Sequence, residues 1–97
     1  MDLGSIFVSH WKLRNPSQVP GMVEAILAGE LLPPIVLFEC EDGVVQILDG
    51  HHRAAAYWIS GRGALFYGEY VLLLQPDLWR PRRGPIAGLV AREFPQS

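Results

Sequence analysis

The sequence predicts a small α+β domain: a mixed sheet with a central hairpin, packed by two or three helices. Three observations carry this reading. Asp42-Gly43 sits between two apolar runs, which is the pattern of a hairpin turn. The segment before the hairpin shows a helical apolar period, and the segment after it is rich in alanine. The elements then follow the order strand, helix, hairpin, helix, strand, helix over 97 residues, without a linker long enough to divide a single core.

The first strand is expected within "SIFVSHWKL", residues 5–13, with Val8, His10 and Lys12 on one face. In "NPSQVPGMVEAILAGE" the period changes: Val19, Met22, Val23, Ile26 and Leu27 form one helical face. Ser17 suits the N-cap, Pro20-Gly21 delays the start, Gly29 suits the C-terminal end and Pro33-Pro34 forbids continuation. The hairpin strands are "IVLFEC" and "VVQIL". The first is almost wholly apolar, as a strand covered on both faces should be, with Cys40 in mid-strand as a small buried hydrophobe. "GHHRAAAYWISG" reads as a helix ended by Gly61, with Ala55, Trp58 and Ile59 toward the sheet and Tyr57 one turn from Arg53, in place to buttress its guanidinium. "ALFYGEYVLLLQ" reads as a strand with a bulge at Gly68, and "IAGLVAREF" as a terminal helix.

Composition excludes some classes. A 49% hydrophobic content is too high for disorder, and no apolar run has the 18 or more residues of a membrane-spanning helix. A single cysteine, with no secretory leader pattern, removes internal disulfides and cysteine-built metal sites, so a cytoplasmic setting is expected. The net charge of −2 gives no support to a generally basic nucleic-acid surface, although Arg80, Arg82 and Arg83 cluster beside Trp79.

The chemistry concentrates in "DGHHR", residues 49–53, where a strand gives way to a helix. The first amides of a helix lack partners within it and carry partial positive charge, which makes that end an anion site. Gly50 removes a Cβ from the approach, and Arg53 supplies a planar fork for phosphate or carboxylate. His51 and His52 can donate hydrogen bonds to an anion. Asp49 is either the N-cap or a group that holds a histidine tautomer, accepts a proton from a substrate hydroxyl or helps to bind Mg²⁺. Adjacent helical histidines diverge by about 100°, which disfavours a shared metal ion. From "SHWKLRNP", Lys12 or Arg14 can meet a second phosphate, and Trp11 either stacks on a base or packs as a core or edge aromatic.

"LPPIVLFECEDGVVQILDGHHRAAAYWISGR", residues 32–62, resembles the core of the ParB/sulfiredoxin superfamily in its Pro-Ile strand start, Asp-Gly turn, strand ending in Asp-Gly, His-Arg helix start and glycine stop. About a third of the chain carries the resemblance closely. It implies a ParB/sulfiredoxin-like domain that binds ATP or another nucleoside triphosphate with Mg²⁺, with possible phosphoryl transfer or hydrolysis. It also implies Gly50, His51, His52, Arg53 and Arg14 as nucleotide contacts and Asp49, His51 and His52 as the groups handling protons. The partners it implies are the nucleotide, DNA or a DNA-binding protein, and a second copy of the chain; no membrane is among them. His51 stands where sulfiredoxins have their nucleophilic cysteine, so sulfiredoxin activity is excluded. With no helix-turn-helix segment following, a stand-alone domain is expected rather than a whole segregation protein. The alternative reading is a non-catalytic, ParB-like DNA-associated module, partition- or nuclease-like, that acts with a separate DNA-binding partner. Arg80, Arg82 and Arg83 are the residues whose change would test its DNA binding.

Overall fold

The structure is a computed structural model that describes residues 1–74 and 82–95. It is an α+β fold with β1 (Phe7–Val8), α1 (Val19–Leu27), β2 (Ile35–Glu39), β3 (Val45–Asp49), α2 (His51–Ile59), β4 (Tyr70–Leu74), β5 (Gly84–Pro85) and α3 (Ile86–Glu93). The five strands form one mixed sheet in the order β4-β2-β3-β1-β5. The β2–β3 hairpin is its centre, flanked by parallel pairings of β4 on β2 and β1 on β3.

The hairpin closes as the Asp-Gly pair requires. Gly43 takes φ 86°, its N–H donates to the Cys40 carbonyl at 2.9 Å, and Cys40 N–H donates to Val44 O at 2.9 Å. Asp42 accepts from Val44 N–H, which holds its carboxyl below the ordinary range. Cys40 therefore opens the turn rather than lying mid-strand; it is buried, with Gln46 Nε2 donating to its Sγ at 3.1 Å. β2 is buried on both faces, with Ile35 and Leu37 in the main core and Phe38 outside that cluster.

α1 and α2 end in the same way. Gly29 at φ 83° donates to Ile26 O while Glu30 donates to Ala25 O; Gly61 at φ 94° donates to Trp58 O while Arg62 donates to Tyr57 O. Both are Schellman endings, in which a glycine at positive φ satisfies carbonyls left over by the last turn.

Several sequence expectations are corrected. β1 stops at Val8, so Val8 is buried while His10 and Lys12 are exposed. Ser17 caps nothing: Pro16–Gln18 forms a 3₁₀ turn that runs directly into α1, where Pro20 needs no intrahelical N–H. Leu27 is 70% exposed rather than part of the core face. Gly68 is not a strand bulge. At φ 92° it occupies a turn closed by Glu69 N–H on Phe66 O, so β4 begins only at Tyr70. Ala55 is buried, while Trp58 and Ile59 line an apolar groove of about 460 Å³ together with residues of α1 and α3. No helix among the described residues is long and apolar enough to cross a membrane.

Tyr57 is 1% exposed. It carries Arg62 rather than Arg53 over its ring, at 5.2 Å. Burial raises its pKa, and its hydroxyl lies near the Leu32 backbone without reaching hydrogen-bond geometry. A buried hydroxyl without a partner contributes nothing that phenylalanine would lose. Tyr57→Phe is therefore expected to leave the urea midpoint equal to wild type or to raise stability by up to about 1 kcal/mol. A loss of about 1 kcal/mol or more would reveal a hydrogen bond at this hydroxyl.

Candidate functional site

α2 begins one residue after β3 ends, and Gly50 makes the join. It is the N-cap residue at φ 111°, ψ 30°, a conformation that L side chains rarely adopt, and no side chain caps the amides behind it. Asp49 is thus not the cap. The reason lies in β3: Val36 pairs with Asp49 and Leu37 with Ile47, which leaves Leu48 as an extra residue. Such a bulge breaks the alternation that would set Asp49 on the helix-covered face beside Ile47. Asp49 instead points outward, its side chain 74% exposed, and meets the Arg53 guanidinium at 3.2 Å.

Arg53 is more deeply engaged than a free phosphate fork would be. Its Nη1 donates to the carbonyls of Pro33 and Pro34, each at 3.0 Å, and its Nη2 to Asp49 Oδ2. A Cβ at position 50 would stand 3.1 Å from Arg53 Nη2, 3.3 Å from its Nε and 3.2 Å from Ile35 Cγ2. The room that Gly50 provides is therefore filled by Arg53 and Ile35, not held open for a ligand. Three of the five guanidinium N–H groups are used in the fold, leaving Nε–H and one Nη2–H against Gly50.

The histidines face the segment that follows β1. His51 is 8% exposed and its Nε2 receives the Ser9 N–H at 3.2 Å, with Ser9 Oγ at the same distance. His52 Nε2 receives the Asn15 N–H at 3.0 Å. A backbone N–H can only donate, so each Nε2 is unprotonated and each neutral ring carries its proton on Nδ1. The His10 ring stacks on His51, with centroids 4.0 Å apart and 27° between planes. Burial first, then His10 and His52, push the His51 imidazole down to about 4, against an opposing pull from Asp49. His52 is lowered by burial and by His10, Arg14 and Arg53. The unfolded chain therefore takes up these protons more readily than the native one, so stability is lost as pH falls below about 6.5, in the case of His51 until about 4. Neither ring has a free lone pair with which to accept a substrate proton. Of the three groups expected to handle protons, Asp49 alone retains an oxygen, Oδ1, without a hydrogen bond among the described residues.

These elements enclose an open groove of about 860 Å³, within the range of small-ligand sites. Arg14, Asp49, Gly50, His51, His52 and Arg53 all line it, so the six residues expected to contact the nucleotide or handle protons come to one place. Ser9, His10, Lys12, Asn15 and Gln18 add polar edges, and Leu13, Met22 and Leu48 give apolar wall. Lys12, Arg14 and Arg53 against Asp49 leave the lining with an excess of positive charge. Among the described residues, no group of three or more His, Cys, Asp or Glu is placed to hold a metal ion, and the groove's one carboxylate is paired with Arg53. The lining thus suits an anion and offers no cage for Mg²⁺, an ion that commonly arrives on phosphates.

Ser9 and Asn15 had no signal in the sequence, because the histidines they meet lie 42 and 37 residues away. Trp11 takes the packing role: it lies against Gly84 and Gly88, with the Arg92 guanidinium 4.1 Å above its ring, and does not line the groove. Arg82 is ion-paired with Asp42 and Arg83 is exposed, while Trp79 and Arg80 lie outside the described residues. Comparison with family models, with curated proteins and with solved structures finds no match to this chain.

Proposed function

We propose that the groove at the start of α2 binds the phosphate chain of a nucleoside phosphate, ATP or another triphosphate carrying its own Mg²⁺, in a domain of the ParB/sulfiredoxin type. The observation that supports this most is the uncapped first turn of α2 beside three cationic side chains, Lys12, Arg14 and Arg53. Amides of residues 51–53 and the helix dipole favour an anion at that end, and the flanking cations add charge-assisted contacts. The Arg53 guanidinium, packed beside Gly50, adds its positive charge to that edge. Met22 and half-exposed Leu48 offer apolar surface to the less polar part of the ligand. The reading concerns binding. For phosphoryl transfer, Asp49 is the one of the three expected proton-handling residues left to take a proton from an acceptor hydroxyl.

A thermal-shift series with ATP, CTP, GTP, ADP and inorganic tripolyphosphate, each with Mg²⁺, tests the proposal. A ligand that binds only the folded chain at a hundred times its Kd adds about 2.7 kcal/mol, a shift of several degrees. The triphosphates are expected to raise Tm. The double variant Lys12→Ala/Arg14→Ala, altered at exposed positions, is expected to melt like wild type without ligand and to lose most of the response. No rise at millimolar triphosphate, or an equal rise in the double variant, contradicts the proposal.

A further inference from the structure

The segment Ser9–Asn15 belongs to no strand or helix and bends at Ser9, Trp11 and Arg14, and its side chains divide between two roles. Trp11 packs on Gly84 and Gly88, and Leu13 is buried with its N–H on the Glu93 carboxylate. His10, Lys12 and Arg14 face the groove. The described hydrogen bonds joining this segment to α2 are those received by His51 Nε2 at Ser9 and by His52 Nε2 at Asn15.

We propose that His51 and His52 are positioning residues, neutral clasps that accept one backbone N–H at each end of the 9–15 segment and so hold Lys12 and Arg14 across the groove from the amides of α2. The inference rests on the phosphate-binding reading and assigns the two rings a role different from phosphate contact. Each clasp exists only while its Nε2 is unprotonated, because an imidazolium has no lone pair to offer. Burial makes protonation of the rings unfavourable, and the charges around them add to it. His10 and Arg14 come from the segment itself and Arg53 from α2; Asp49 of β3 is the single opposing charge; Lys12 lines the same groove, and α1 presents Met22 and no titratable side chain.

The consequence has a definite sign. Histidines that contact an anion directly bind it more tightly as they charge in acid. Clasping histidines do the reverse, because acid releases the segment and carries Lys12 and Arg14 away from the site.

The test is calorimetric titration with inorganic tripolyphosphate between pH 8 and pH 5, using wild type, His52→Ala and His52→Gln. Glutamine places an amide oxygen about where Nε2 lies and does not titrate. His52→Ala is expected to bind about tenfold more weakly at pH 8, and His52→Gln to restore most of that loss. From pH 8 to pH 5, wild type is expected to lose about tenfold more affinity than His52→Gln, a ratio from which the probe's own protonation cancels. Tighter wild-type binding in acid, parallel profiles for wild type and His52→Gln, or no rescue by glutamine overturns the clasp while leaving the groove reading in place. Absence of tripolyphosphate binding by wild type at pH 8 defeats the groove reading instead. The clasp is then decided by ring ¹⁵N spectra of the ligand-free protein, where Nδ1–H tautomers at both histidines uphold it and Nε2–H tautomers overturn it.

Discussion

Gly50→Ala is expected to lower the melting temperature by roughly 5–20 °C and to abolish the thermal response to triphosphate. Position 50 holds φ 111°, and an L side chain there costs about 1–3 kcal/mol in backbone strain. A domain of this size loses about 4–8 °C per kcal/mol. The new Cβ would also press on Ile35 Cγ2 and on the edge of the Arg53 guanidinium, both just over 3 Å away. Ile35 is fully buried in the central strand and has little room to give, so Arg53 moves. That displacement couples the fold to the site, because the same guanidinium holds the Pro33 and Pro34 carbonyls and Asp49. Gly21→Ala is the control. A Cβ there meets nothing within 4 Å in the first turns of α1, so alanine should raise stability by about 0.5–1 kcal/mol. Melting curves of the two variants with opposite signs confirm the expectation; an unchanged midpoint for Gly50→Ala contradicts it.

Arg53→Ala is expected to weaken tripolyphosphate binding by about ten- to a hundredfold, since hydrogen bonds from a charged group contribute about 1.5–3 kcal/mol. It should also lower stability by about 1–2 kcal/mol, because two carbonyls lose a charged donor and the Asp49 carboxylate loses its counter-ion. The cost is moderated by water, which can reach those exposed carbonyls. Arg53→Lys separates the two effects. Lysine keeps the positive charge but cannot bridge both carbonyls and the carboxylate with one planar group. Its affinity is expected to lie between alanine and wild type, while its denaturation midpoint stays close to that of alanine. Equal affinity for all three proteins, measured by calorimetry, would remove Arg53 from the site.

Much of the architecture was readable because it depends on local rules. The Asp42-Gly43 turn, the two glycine-ended helices and the strand-to-helix join at Gly50 follow from residues only a few positions apart. Where sequence reading failed, a distant contact or a single inserted residue decided the outcome. The apolar start of "SIFVSHWKL" suggested a long strand, yet β1 lasts two residues, and the chain beyond it is held by Trp11 on Gly84 and Gly88 and by Leu13 on Glu93. Leu48 looks like any alternating strand residue, but its bulge turns Asp49 outward and makes a residue that the sequence left open between cap and site group the partner of Arg53. The aromatic run before β4 resembled a strand interrupted at Gly68, whereas Glu69 closes a turn there through its backbone and accepts the Phe66 N–H with its carboxylate. The candidate site was legible in composition and illegible in detail. Residues 49–53 and Arg14 do converge, but the acceptor role of the histidines depends on Ser9 and Asn15, which only the folded chain brings near.

The central claim is that the opening turn of α2 receives an oxyanion. A ¹H–¹⁵N titration of the full chain with tripolyphosphate at pH 8 tests it residue by residue. The account predicts saturable shifts led by the amides of residues 51–53, accompanied by the Lys12 and Arg14 amides. Saturable shifts confined to other surfaces, such as the Arg82-Arg83 segment, with residues 51–53 unmoved, would contradict it.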